Sequence, residues 1–178
     1  MWIYIIKLIW LFLPAGMANM APVIFRRINF LNYPVDGGKL MDGKRIFGSH
    51  KTWRGLFFGF VSALILIYIQ QWLYPYVESI SIIDYSKSNI WLLGILLASG
   101  ALLGDLIRSF FKRRVNIVPG EPWPPFDQLD WIIGSLFFIS FYIKLSWDVW
   151  LVSLVLALIL HPAVNYLAYL LKLQKGKV

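Results

Sequence analysis

Residues 90–111 read IWLLGILLASGALLGDLIRSFF and run directly into Lys112, Arg113 and Arg114. No charged side chain occurs before Asp105. A helix of this length rises about 33 Å, enough to cross a hydrocarbon core of about 30 Å. A surface helix of a soluble protein would carry a polar face along its whole length. Here polarity begins only in the last two turns, so the stretch reads as a membrane span with a polar, cationic end.

Three further runs have the same character, at residues 2–21, 56–77 and 149–173. A fifth, at 127–145, reaches spanning length only if its helix begins near Phe126 and carries Asp127 and Asp130 on its first turns. The chain has 178 residues, 59% hydrophobic and only 15% charged. So few polar side chains cannot cover a soluble domain of that size. The sequence therefore predicts an all-α integral membrane protein, a single domain over 1–178 with about five transmembrane helices. Ala15, Ala18 and Ala21 resemble a signal-cleavage region, but no positive segment precedes the apolar residues and Lys7 follows them. Residues 2–21 thus read as a first span, with Lys7 snorkelling toward the interface.

Charge orients the spans. The 22–55 loop carries Arg26, Arg27, Lys39, Lys44, Arg45, Lys51 and Arg54 against Asp36 and Asp42, and the 112–126 loop opens with Lys112, Arg113 and Arg114. Lys172, Lys175 and Lys177 lie in the tail, whereas the segment after Tyr74 holds Glu78, Asp84 and Lys87. The positive-inside rule predicts the N-terminus outside, with both basic loops and the C-terminus in the cytoplasm of a multi-pass cell-membrane protein. Trp72, Tyr74, Tyr76, Trp91, Trp147 and Trp150 form the expected outer aromatic belt. The net charge of +8 is thereby tied to lipid head groups and orientation rather than to nucleic acid. With no cysteine, disulfides and thiolate metal sites are excluded.

Two polar segments hold more chemistry than connection requires. The first, 36–55, interleaves Gly37, Gly38, Gly43, Gly48 and Gly55 with Lys39, Lys44, Arg45, Lys51 and Arg54, and Thr52 opens the next helix. Glycines bring backbone N–H groups close to an oxyanion, and cations and a helix N-terminus supply counter-charge. The spacing is not a Walker loop, and the charge alone reads equally well as a topology signal. The second segment places Asp105, Arg108, Ser109 and Lys112 on one helical face. An aspartate there needs a cation, a metal, water or an intrahelical partner. Asp127 and Asp130, three apart, point the same way; helix capping accounts for one of them more easily than for both. Three carboxylates beside phosphate-binding loops, without a His or Cys cluster, suit Mg²⁺. His50 is a lone histidine in a basic loop, and His161-Pro162 reads as a kink with Asn165 satisfying a freed backbone group.

These residues resemble the membrane cytidylyltransferases that make CDP-activated lipids. Ser109, Lys112 and Arg113 match a Ser-x-x-Lys-Arg element, Pro119 and Gly120 a Pro-Gly, Asp127-Gln-Leu-Asp130 a Leu-Asp-Arg-x-Asp, and Gly104-Asp105 a preceding Gly-Asp. Residues 49–55, SHKTWRG, are similar to a Ser-Pro-Lys-Lys-Thr-x-Glu-Gly element. The usual Lys-Asp before the Pro-Gly is absent, Glu121-Pro-Trp-Pro-Pro replaces His-Gly-Gly, and Gln128 stands where arginine is usual. This compact form resembles the archaeal branch, the CDP-archaeol synthases. The resemblance implies transfer of CMP from CTP to a geranylgeranyl diether glycerol phosphate, with release of pyrophosphate. It implies Asp105, Asp127 and Asp130 as Mg²⁺ ligands, with Lys112 beside them in catalysis. Lys44, Arg45, Lys51, Thr52, Arg54, Ser109, Arg113, Arg114 and Gly120 would bind the triphosphate or the lipid phosphate. Alternatives are a CDP-diacylglycerol synthase acting on phosphatidic acid and a non-enzymatic lipid-binding protein; the oligomeric state, a homodimer included, stays open. Lipid chains would lie in a lateral groove between spans.

Overall fold

A computed structural model describes residues 2–170. Five helices account for most of them: α1 (Trp2–Ile24), α2 (Trp53–Val77), α3 (Ile90–Arg114), α4 (Phe126–Ile139) and α5 (Trp147–Leu170). A two-stranded hairpin, β1 (Leu40–Met41) and β2 (Lys44–Arg45), lies between α1 and α2. Thr52 Oγ1 caps α2 by accepting from Gly55 N at 3.3 Å, and Asn89 caps α3 by accepting from Leu92 N at 3.1 Å. α1, α2, α3 and α5 are long and apolar enough to cross a membrane. The tail lysines Lys172, Lys175 and Lys177, and the end of the 149–173 run, lie outside the described residues.

α4 is shorter than the sequence predicts. It has 14 residues, about 21 Å of helix, and ends at Ile139 rather than near Leu145. Ser140 is its C-cap, with N–H donating to Leu136 O at 3.1 Å and hydroxyl to Phe137 O at 2.6 Å, and the chain turns before α5. The turn completes the run nonetheless, because Tyr142 OH accepts from Asn89 N at 2.8 Å beside the start of α3. α4 therefore lies antiparallel along α3, its first turn level with Arg108 and its following turn level with Asn89.

α3 is the central helix. Half of its apolar window (50%) is buried within the protein, against 17% for α5, which faces outward. It packs against α1, α2 and most extensively α4. The α3–α4 contact is backbone to backbone: a Cβ on Gly100 would lie 2.4 Å from Gly134 O, and one on Gly104 only 2.2 Å from Asp130 O. In a bilayer, where lipid competes equally for apolar side chains, such small-residue seams are what hold helices together. Ala15, Ala18 and Ala21 are each fully buried, which makes them packing positions of α1. Trp72, Tyr76, Trp91 and Trp147 are exposed, as a belt requires, whereas Tyr74 and Trp150 are partly buried against the core.

The 22–55 loop is ordered by its own hydrogen bonds. Val35 N donates to Lys51 O (2.8 Å), Trp53 N to Tyr33 O (3.0 Å) and Arg54 N to Leu31 O (2.8 Å), which zips its two ends together. At the hairpin tip Asp42 and Gly43 have φ of 51° and 72°, the conformation that an Asp-Gly pair favours in a two-residue turn.

Candidate active site

The cavity lies where the zipped loop, α3 and the start of α4 meet. Its volume is about 360 Å³, and Lys51, Asp105, Ser109, Lys112, Arg113, Gly120, Asp127 and Asp130 all line it. The Gly104–Asp130 contact sets the distance between α3 and α4, so the carboxylates arrive together by backbone packing rather than by side-chain reach.

Arg108 is the hub. It pairs with both Asp105 and Asp127, and its Nε lies 2.9 Å from Asp130 Oδ2. That last pair is close but misaligned for a hydrogen bond, leaving Asp130 Oδ2 a buried acceptor without a donor. Lys51 Nζ donates to both oxygens of Asp105 at 2.6 and 2.5 Å. Lys112 Nζ lies 3.1 Å from Asp127 Oδ1 and also donates to Glu121 O, which ties the 112–126 loop to α3. Trp123 N donates to Asp127 Oδ2 at 2.5 Å. Three carboxylates thus meet three cations in a cluster with no net charge. Arg113 stands apart: among the described residues it has no ion-pair partner, and its Nε is buried without a hydrogen bond. It lies beside Gly48, whose φ of 98° demands glycine and keeps that wall open.

Other residues singled out in the sequence stand behind this wall. Arg45 chelates Asp36 (2.5 and 3.2 Å), and Arg54 Nη1 donates to Ile28 O at 2.8 Å. Lys44 Nζ donates to Arg114 O at 3.1 Å, while Arg114 reaches Met41 O (2.7 Å) and Arg45 O (2.8 Å) and lies over the Phe110 ring. Together with the Thr52 cap, these contacts fasten the hairpin and loop to α3. Asp36, 5% exposed, organises them. Burial would push its carboxyl up, but Arg45 and the N–H groups of Phe47, Gly38 and Gly48 overcome this and hold it at about 2.

Four features are hard to see in the sequence. Arg108 was visible only as an intrahelical partner, yet a buried arginine in a span requires several acceptors, and three were within the chain. The Asp42-Gly43 turn and the four-residue spacing of Gly100 and Gly104 were both local signals. Asn19 and His161, from α1 and α5, also reach the cavity; nothing local points to them.

The whole-chain comparison fits this geometry. A family model described as CarS-like, CDP-archaeol synthase, matches residues 1–177. The chain belongs to the CDP-archaeol synthase family. It is 40% identical to a CDP-archaeol synthase of Pyrococcus furiosus over 169 residues, covering 94% of this chain and 95% of the relative. A CDP-archaeol synthase of Methanococcus aeolicus is 34% identical over 164 residues, covering 91% and 90%. A solved structure, described as an intramembrane enzyme for archaeal membrane lipid biosynthesis, superposes with a TM-score of 0.73 at 32% identity, covering 88% of this chain and 91% of that one. This CDP-archaeol synthase family member is accordingly a membrane enzyme of lipid biosynthesis, a CTP-using cytidylyltransferase.

Proposed function

We propose that the protein transfers the cytidylyl group of CTP to the phosphate of an unsaturated diether glycerol phosphate, at a cavity facing the cytoplasm. The observation that carries this reading is the adjacency of two unlike spaces. The polar cavity shares Asn19, Met20, His161 and Val164 with an apolar groove of about 260 Å³ between α1, α4 and α5. A nucleotide fits the first and a lipid chain the second, and the bond to be made lies where they meet. From Leu8 to Met20 the α1 wall of the groove rises about 18 Å, room for most of one isoprenoid chain.

A lipid phosphate oxygen attacks the α-phosphorus of CTP. That oxygen–phosphorus bond forms as the bond to the β-phosphate bridge breaks, and pyrophosphate leaves. The attacking phosphate is already ionised at neutral pH, so no general base is needed. Arg113, lacking an ion-pair partner among the described residues, and Lys112 and Lys51, which exchange their carboxylates for phosphate oxygens, hold the triphosphate. Cations placed where charge shifts onto the leaving phosphates favour the transition state.

The donor set suits Mg²⁺ brought in on the nucleotide. Among the described residues no three acidic or histidine side chains form a ready metal cage. Mg²⁺ commonly binds through one or two carboxylates plus substrate phosphates, and among the described residues Asp130 Oδ2 is a buried carboxylate oxygen left without a donor. Asp130, with Asp127 or Asp105, would hold it; once bound it would neutralise phosphate charge and orient the triphosphate. The basic loops favour a cytoplasmic site, where CTP is available.

The test is incorporation of label from CTP into lipid-extractable product by purified protein, with Mg²⁺ or EDTA, offering the diether phosphate or phosphatidic acid. Metal-dependent product from the diether, absent in Asp127→Asn, is expected. Product from phosphatidic acid alone would move the substrate to ester lipids, and no product from either would overturn the assignment.

A further inference from the structure

The four residues common to the cavity and the groove include two polar ones, Asn19 on α1 and His161 on α5. Met20 and Val164 are apolar, so they continue the groove. Asn19 and His161 have no comparable reason to face it. His161 Nδ1 is buried and has no hydrogen-bond partner among the described residues, while the ring lies against the Asp127 backbone. A buried ring nitrogen left unpaired costs free energy, which a ligand atom at the same place would recover. On α5, His161 follows Ser153 and Ala157 at four-residue steps, and all three line the groove. The face is small or apolar below His161, and the cluster of Asp105, Arg108 and Asp127 begins just above it.

Resting on the function proposed above, we propose that His161 and Asn19 form a head-group subsite that binds the glycerol-phosphate junction of the lipid substrate. A diether lipid has few polar atoms: the phosphate and its ester oxygen, then two ether oxygens, all acceptors. The junction where its polarity ends must lie where the protein's polarity ends, and in this protein that boundary is drawn by these two side chains. Both can donate, His161 through Nδ1–H in the matching tautomer and Asn19 through its amide. The subsite holds the attacking phosphate at a fixed height above the groove, in reach of the nucleotide half. Arg113, Lys112 and Lys51 hold CTP without it.

Equilibrium binding of a radiolabelled dialkylglycerol phosphate, measured without CTP, tests the subsite directly, alongside calorimetric binding of CTP. His161→Phe keeps a flat ring but removes the donor; His161→Asn returns an amide near the Nδ1 position. Losing one such hydrogen bond weakens affinity about threefold to tenfold. The expected result is that loss for lipid phosphate in His161→Phe, recovery in His161→Asn, and CTP affinity within about twofold of the unaltered protein. Asn19→Leu, on a different helix, should show the same lipid-selective loss and serves if His161→Phe fails to fold. Unchanged lipid affinity in the folded variants, or an equal loss for CTP, would overturn the subsite. Lipid binding that behaves as expected in a protein yielding no CDP-lipid would instead overturn the proposed reaction and leave the subsite standing.

Discussion

Replacing Gly104 by alanine should disable the enzyme without touching a single charged group. The added Cβ would lie 2.2 Å from Asp130 O and 2.9 Å from Asp130 C, backbone atoms that no rotamer change can remove. An ordinary carbon–oxygen contact is about 3.3 Å, so α3 and α4 must separate locally by about 1 Å. Overpacking of this kind costs roughly 1–3 kcal/mol. The functional cost is larger, because the shift carries Asp130 and Asp127 away from Arg108 and Asp105. A misplacement of about 1 Å at reacting groups lowers turnover by about a hundredfold. Gly94→Ala is the comparison: its Cβ meets side-chain rather than backbone atoms, Ile67 Cγ2 at 2.9 Å and Leu64 Cδ2 at 3.0 Å, and it lies about three helical turns from Asp105, so any repacking stays away from the site. Turnover of labelled CTP into lipid, with thermal melting in the same detergent, should show Gly104→Ala folded but about a hundredfold slower and Gly94→Ala close to normal. Normal turnover in Gly104→Ala would refute the idea that the α3–α4 backbone seam sets the site.

Arg108→Gln removes the group that three carboxylates share and leaves buried negative charge unbalanced; a loss of roughly 3–5 kcal/mol is expected in denaturation, together with activity. An unchanged unfolding midpoint would show that Arg108 is not the hub. Asp36, held at about 2 against an ordinary 3.8, stabilises the fold by about 2 kcal/mol. The depressed value means this contribution is complete above 3.8 and disappears as pH falls toward 2, so Asp36→Asn should lower stability at neutral pH and flatten the acid limb of a pH–melting profile. Asp130→Asn should raise the Mg²⁺ concentration needed for half-maximal turnover about tenfold or more, as loss of a metal-binding carboxylate does. An unaltered Mg²⁺ dependence would remove Asp130 from the ligand set.

The division between what the sequence declares and what it hides follows contact range. The long apolar runs, the cationic end of α3 and the i, i+3 pair Asp127 and Asp130 are local patterns, and each appears in the fold where its periodicity puts it. The end of α4 is hidden because apolar residues continue to Leu145, while the chain leaves the helix at Ser140 and reaches Asn89 through Tyr142, a contact no local pattern announces. Arg108 was underrated because its second and third carboxylates come from α4, at a distance fixed by three glycines on two helices. The basic loop looked like a single phosphate cradle. In the fold Gly43 makes the hairpin turn, Arg45, Arg54 and Arg114 hold the loop in place, and Lys51 is delivered to Asp105.

The matched charges around Arg108 have a consequence for traffic through the site. A pocket lined only with lysines and arginines would be an anion sink, filled in the cell by whichever phosphate was most abundant. Here Lys51 and Lys112 each already hold an internal carboxylate, at 2.5 and 3.1 Å, so an incoming anion gains only the difference between itself and an aspartate. A compact phosphate gains little from that exchange. On the proposed function, a triphosphate long enough to engage several cations at once, and carrying a metal to occupy the carboxylates it displaces, would gain a great deal. If the proposed reaction runs here, the aspartates would be in position to reclaim their partners once the triphosphate is split, and so help to expel the smaller fragment.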